Sequence, residues 1–428
     1  MNRVRLQILR SWALALLIIA ASLLAAVAPA GAVSRPGSPE SAMRLFTKDA
    51  PLLAYYYIWF DPQSWNRAKI DYPALGRYSS DDKKVMLQHI QWAKAAGIDG
   101  FIVSWKNTDI LNRRLDLLTE LADQEHFKLV VIYEGLDVNR DPVPAEWVGR
   151  DLDYFIDNYA SDPAFNLFDK PVVIWSGTWE FTRNAISGIT PERRQKLRIL
   201  ATEKNPGAYL HLADLFDGDA YYWSSVNPDT YPGYPEKLQA MSKAVHDNGG
   251  LWIAPAAPGF DARLIGGKRT VDRKDGETLR RQLDAAAASS PDAIGIISWN
   301  EFSENSYIEP SCSYGGRYLD VIASLRNGVG PGHVDECDAD IVDAGVAVFT
   351  EDATPEAALD SSQGASGSTG DTPNDSASDN KSDFDSSSPG SVDVGVNTGI
   401  IGLGAVALLT VFSMVVVARR SRRHDAVH

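Results

Sequence analysis

Between residues 50 and 328, short apolar runs rich in β-branched and aromatic residues alternate with stretches whose apolar positions recur at helical spacing. The strand-like runs are 52–60, 100–105, 129–134, 172–175, 208–213, 218–223, 251–255 and 293–299. Helical patterns cover 81–96, 111–125, 191–203, 235–248 and 276–289; the first is opened by Ser79 and Ser80 as caps and closed by Gly97. Eight strands alternating with helices predict a single α/β domain, a (β/α)8 TIM barrel, with a doubly wound sheet as the alternative. In a barrel, function gathers just beyond the C-terminal ends of the strands.

The two ends read differently. Residues 1–32 combine Arg3, Arg5 and Arg10 with an apolar run over 12–27 and the small triplet Ala30-Gly31-Ala32, the layout of a secretory signal peptide. An uncleaved signal anchor is the alternative. The body, 33–345, is the expected catalytic domain. Residues 346–395 are Asp, Ser, Gly, Thr and Pro with few apolar positions, which predicts a disordered acidic stalk. A transmembrane helix is expected over 396–418, since 399–418 is free of charge and Arg419, Arg420, Arg422 and Arg423 follow in a short basic tail, 419–428. This topology puts the body outside the cell and the C-terminus in the cytoplasm.

Charge and cysteine content narrow the function. The chain carries a net charge of -15, of which 335–393 holds -14 and 33–334 holds -7, so the body is only mildly acidic. No basic stripe remains to neutralise phosphates, which excludes nucleic acid as a partner, and a monomer is expected. The two cysteines, Cys312 and Cys337, both lie in the exported part, where an oxidising setting favours a disulfide over two free thiols.

At the predicted rim aromatics and carboxylates are interleaved: Trp59 and Asp61, Trp105, Tyr133 and Glu134, Trp175, Trp179 and Glu180, then 221–223. Flat rings for C–H stacking and acceptors for hydroxyls are what a sugar needs. Glu301 and Glu304 stand in Trp299-Asn300-Glu301-Phe302-Ser303-Glu304, where a helical turn would bring both to one side. Two carboxylates in one enclosed site push their pKa values apart, the equipment of glycoside hydrolysis. A solvated loop bearing two unrelated acids is the plain alternative. Neither a Gly-x-Ser-x-Gly elbow, nor a phosphate-binding Gly-x-x-x-x-Gly-Lys, nor His-Glu-x-x-His is present, and no metal or other cofactor is expected.

Over residues 52–322 the chain resembles glycoside hydrolase family 99, the endo-acting α-mannosidases. The similarity rests on 72–76 leading to Tyr78-Ser79-Ser80, on 96–105, on Phe216-Asp217-Gly218, on Pro258-Gly259-Phe260-Asp261 with Arg263, and on Trp299 to Pro310. The family motif Asn-Glu-Trp-His-Glu-Gly, followed by Ile-Glu-Pro, is matched at Asn300, Glu301, Glu304, Ile308, Glu309 and Pro310. The resemblance implies that Glu301 takes the proton of the sugar 2-hydroxyl, which attacks its own C1 with overall retention, while Glu304 protonates the leaving oxygen. It also implies substrate binding by Glu134, Tyr222 and Arg263, to which the aromatic pattern adds Trp59, Trp105 and Trp299. The family Trp-His and Gly are replaced by Phe302-Ser303 and Asn305. The same segment is similar to family 71, the endo-α-1,3-glucanases, so an inverting glucanase is the alternative enzyme. A non-catalytic polysaccharide-binding barrel and a stalked adhesin for a protein partner are the non-enzymatic ones.

Overall fold

The computed structural model describes residues 50–331 apart from 68, 138 and 327, together with Cys337. The expected signal peptide, stalk, membrane span and tail lie outside the described residues. Among the described residues no helix is long and apolar enough to cross a membrane.

Seven parallel strands come first: β1 (Leu52–Tyr57), β2 (Gly100–Trp105), β3 (Lys128–Tyr133), β4 (Val172–Trp175), β5 (Arg198–Leu200), β6 (Gly218–Asp219) and β7 (Leu251–Ala256). An antiparallel ribbon, β8 (Phe260–Asp261) and β9 (Thr270–Val271), precedes the last barrel strand, β10 (Ala293–Ile296). The barrel strands pair in the order β5-β4-β3-β2-β1-β10-β7-β6. A parallel bridge between Ala201 and Asp219, with Ala220 N donating to Ala201 O at 2.8 Å, closes the ring. This is a (β/α)8 barrel.

Alternation along each strand divides the side chains. Leu53, Tyr55, Ile102, Val130, Ile132, Ile174 and Leu200 cluster inside the barrel. Their neighbours Leu52, Ala54, Tyr56, Phe101, Val103, Leu129, Val131 and Val173 pack outward against the helices. The helices are α1 (Lys83–Ala96), α2 (Asp109–Gln124), α3 (Ala145–Asn158), α4 (Arg183–Ser187), α5 (Thr190–Arg193), α6 (Pro206–Leu212), α7 (Tyr234–His246), α8 (Glu277–Ala288) and α9 (Arg317–Arg326). Local chemistry sets their ends. In α1 the Asp82 carboxylate accepts from Lys84 N, and Gly97, at φ 89°, closes the helix in the left-handed region that its missing Cβ permits.

Two expected elements are corrected. Run 208–213 is not a strand but lies in and just beyond α6, because Asn205 caps Ala208 N and Pro206 is preset for a first helical turn. The helical pattern over 191–203 breaks after α5, and its second half becomes β5, pairing Val172 with Arg198 and Ile174 with Leu200. Tertiary pairing overrides propensity there. Cys312 and Cys337 form a disulfide with their Cα atoms 5.3 Å apart.

Candidate active site

The loop leaving β10 is tied to the barrel at nearly every residue. Trp299 N donates to Tyr55 O at 2.7 Å, and Glu309 N to Trp299 O at 2.8 Å. The Asn300 amide extends the edge of β1, accepting from Tyr57 N at 2.9 Å and donating to Tyr57 O at 3.0 Å. Asn300 Nδ2 also donates to Tyr78 Oη, which donates to Glu309 Oε2 at 2.9 Å; Glu309 Oε1 pairs with His89 at 3.0 Å, and His89 with Tyr56 Oη at 3.0 Å. This buried relay explains why Glu309 stands in the segment at all. Further along, Arg273 donates to Asn305 O and Tyr307 O, both at 2.9 Å, beneath three tyrosine rings. On the far side, Ala74 N donates to Pro310 O at 2.8 Å and Cys312 N to Tyr72 O at 2.9 Å, so the segment around 72–76 braces the loop.

The loop presents Glu301 and Glu304, both buried. Glu301 N donates to Ser298 Oγ at 2.8 Å, Ser306 N returns to Glu301 O at 3.3 Å, and Asp261 N in the ribbon donates to Glu304 O at 2.7 Å. The turn is thus pinned at both acids. Burial, and next the charge of Glu304, push the Glu301 carboxyl up to about 8; a hydrogen bond from Ser303 N at 3.0 Å and the charge of Lys69 pull the other way. Lys69 is itself buried, and its ammonium is brought down to about 8 by desolvation, with Glu301 opposing. Two carboxylates in one dry site oppose each other's ionisation.

Tyr57 and Tyr222 complete the wall. Their hydroxyls lie 2.5 Å apart, and both are held neutral by burial together with the charges of Glu301 and Glu304. Glu134 follows β3, accepts from Ser104 Oγ at 2.7 Å, and has its carboxyl raised by burial against the charges of Lys106 and Arg140. Trp59 stacks on Tyr57 with ring centroids 4.3 Å apart, and its buried Nε1 has no hydrogen-bond partner among the described residues. Arg263 reaches the edge of this group through Asp261, whose carboxylate it grips at 2.5 Å.

Two of the expected binding residues are elsewhere. Trp105 is fully buried between sheet and helices: its Nε1 donates to Asn112 Oδ1 at 2.9 Å, and its ring packs on Tyr133 and Phe155. Trp299 is equally buried, against Phe101 at 5.2 Å and His89 at 5.4 Å. Trp105 faces outward by strand parity, and Trp299, beyond the end of β10, joins the same outward cluster although alternation from Ala293 and Ile297 would turn it inward; the rim position of their backbones therefore does not bring their rings to the site. Parity also identifies what the sequence reading omitted. Tyr57 shares a face with Leu53 and Tyr55, and Ser104 with Ile102, so the last inward residue of each strand enters the site. Lys69 and Arg140 carry no such signal, since their loops are placed only by barrel closure.

The sequence profile of glycosyl hydrolase family 99 matches residues 61–322, more than half of the chain. The chain belongs to glycosyl hydrolase family 99. The acids on the loop after β10 fall inside the matched span of this family-99 chain, as do Lys69, Glu134 and Tyr222. The glycoprotein endo-α-1,2-mannosidase of Rattus norvegicus is 25% identical over 265 residues, 56% of each chain. The glycoprotein endo-α-1,2-mannosidase-like protein of Homo sapiens is 26% identical over 271 residues, again 56% of each. The family-99 chain therefore spans about half the length of the curated relatives it matches. A family-99 endo-α-mannosidase structure from Bacteroides thetaiotaomicron superposes with a TM-score of 0.58 at 22% identity, covering 65% of this chain and 97% of that one, a likeness of fold.

Proposed function

We propose that the protein is an endo-acting α-mannosidase that cleaves internal α-mannosidic bonds of a polysaccharide or glycan with retention. The observation that carries this reading is the buried pair Glu301 and Glu304 on one pinned turn, facing the Tyr57–Tyr222 hydroxyls and the ammonium of Lys69. The endo-α-1,2-mannosidases among its relatives support the sugar and the linkage.

In the proposed cycle Glu301 accepts the proton of the 2-hydroxyl as O2 bonds to C1, and Glu304 gives its proton to the departing oxygen as the glycosidic bond breaks. Water then adds to C1, losing its proton to Glu304, as the C1–O2 bond breaks and O2 recovers its proton from Glu301. The cycle starts with Glu301 ionised, whereas burial raises its carboxyl to about 8 and so favours the protonated form. A bound 2-hydroxyl donating to Glu301 favours its charged form, as does Lys69, and the proton passes to Glu304. Substrate binding and proton placement are thereby linked.

The signal-like start and the charge-free run before Arg419 support a surface-tethered body with a cytoplasmic C-terminus. Digestion of a panel of α-mannans and α-glucans, followed by product sizing, tests the activity. Short oligosaccharides released from an α-mannan are expected; cleavage of α-glucans alone, or of none of the panel, refutes the reading.

A further inference from the structure

Three cations occupy one side of the barrel mouth, beyond β3, β5 and β6. Lys204 follows β5 and holds its ammonium 4.0 Å over the Trp179 ring. Lys237, on α7, lies 4.4 Å from the Trp223 ring and donates to Tyr221 Oη at 2.9 Å. Arg140 stands in the loop after β3. The three are electrostatically linked in a row, Arg140 acting on Lys204 and Lys204 on Lys237. At the inner end Arg140 feels Glu304, Glu134 and Glu180, while Lys204 feels Glu180 and Glu203.

All three are half-buried and, like Lys106 in the loop after β2, make no salt bridge with any described carboxylate. Elsewhere on the surface, arginines are paired: Arg183 with Asp214 at 2.5 Å, Arg193 with Asp153 at 2.6 Å, Arg198 with Asp169 at 2.7 Å. Burial lowers the pKa of all three unpaired cations, so the fold spends stability to keep them partly dry. An incoming anion would recover that cost. Beside them Trp223 and the exposed Tyr231, with ring centroids 6.0 Å apart, offer faces on which a sugar can stack. The arrangement is also opposite in sign to the chain, whose net charge is -15.

We infer that Arg140, Lys204 and Lys237 form a subsite for an anionic substituent, a phosphate or carboxylate group, carried by the glycan on the leaving-group side of the cleaved bond. The side follows from the proposed function, on which this inference rests. Arg140 is coupled to Glu304, the proposed proton donor to the leaving oxygen, whereas Lys69 is coupled to Glu301. Lysine ammoniums act as mobile point charges and the guanidinium as a fork, a combination suited to an anion at the end of a flexible linkage.

Calorimetric titration of the full-length Glu304→Gln protein separates binding from turnover. The probes are a neutral α-mannotetraose, the same tetraose bearing a phosphate monoester near its reducing end, and a tetraose ending there in a uronic acid. At least one charged probe should bind tenfold or more tighter than the neutral one at low salt, and which one identifies the anion. The advantage should shrink to about twofold at high salt. It should also vanish when Lys204→Gln and Lys237→Gln are added. Equal binding of neutral and charged probes overturns the inference and leaves the glycosidase reading intact. Failure of all three probes to bind overturns both, and a preference that survives the lysine changes overturns the assignment to these residues.

Discussion

Replacing Glu301 by Gln should stabilise the protein while abolishing its activity, and the gain should depend on pH in a defined way. Burial and the charge of Glu304 raise the carboxyl from 4.5 to about 8. A group whose folded-state pKa lies above its unfolded value binds more protons in the folded state, so stability declines as pH rises from 4.5 toward 8. Carried to completion above pH 8, the cost of ionising Glu301 in the fold is about 5 kcal/mol. The glutamine keeps the carbonyl that accepts from Ser303 N, but its buried amide NH2 must find acceptors of its own, which offsets part of the gain. A net stabilisation of about 2 kcal/mol at pH 8.5 is expected, roughly a 4–8 °C rise in Tm. Below about pH 4, where Glu301 is protonated in both states, the gain should disappear. Urea and thermal denaturation of wild type and Glu301→Gln at pH 4, 6 and 8.5 measure this directly. A gain as large at pH 4 as at pH 8.5, or a loss at pH 8.5, would refute the reasoning.

Glu304→Gln should lower turnover on α-mannan about 10²–10⁴-fold while partly sparing substrates whose leaving group needs no proton; unchanged turnover on mannan sinks the assigned role. Trp105→Phe, which deletes the bond to Asn112 and shrinks a fully buried ring, should cost about 1–3 kcal/mol in urea denaturation and leave KM unchanged, whereas a raised KM would return Trp105 to the site. Opening the ring between Cys312 and Cys337, 25 residues apart in sequence, by Cys312→Ser with Cys337→Ser should cost about 3 kcal/mol, and two titratable thiols in the denatured, unreduced wild type would contradict the bridge.

The barrel is legible in the sequence because its strands are apolar on both faces and its longer helices carry clear stops, as at Gly97. The fifth strand is not. Arg198–Leu200 is three residues long and follows a helical turn, so nothing in its pattern outweighs the helix until pairing with β4 is formed. The acidic pair is legible for a different reason: Asn300 to Glu304 is one local turn whose spacing brings both acids to one side. Trp105 misleads because position along a strand says how near the rim a residue lies, whereas parity says which way it points; Trp299 misleads because it lies beyond β10, where alternation no longer holds. Counting alternately from Leu53 would have brought Tyr57 inward, and counting from Ile102 would have excluded Trp105 in favour of Ser104. Lys69 and Arg140 were beyond such counting, since each meets its carboxylates only across the closed barrel.

In the proposed function Glu301 and Glu304 cleave α-mannosidic bonds with retention through the 2-hydroxyl. Proton NMR of an early digest of α-mannan, before the released sugars mutarotate, tests it most directly. The newly formed reducing ends should appear first as the α-anomer, and a substrate lacking the 2-hydroxyl at the cleaved sugar should be inert. A β-anomer appearing first, or cleavage of the substrate without its 2-hydroxyl, would contradict it.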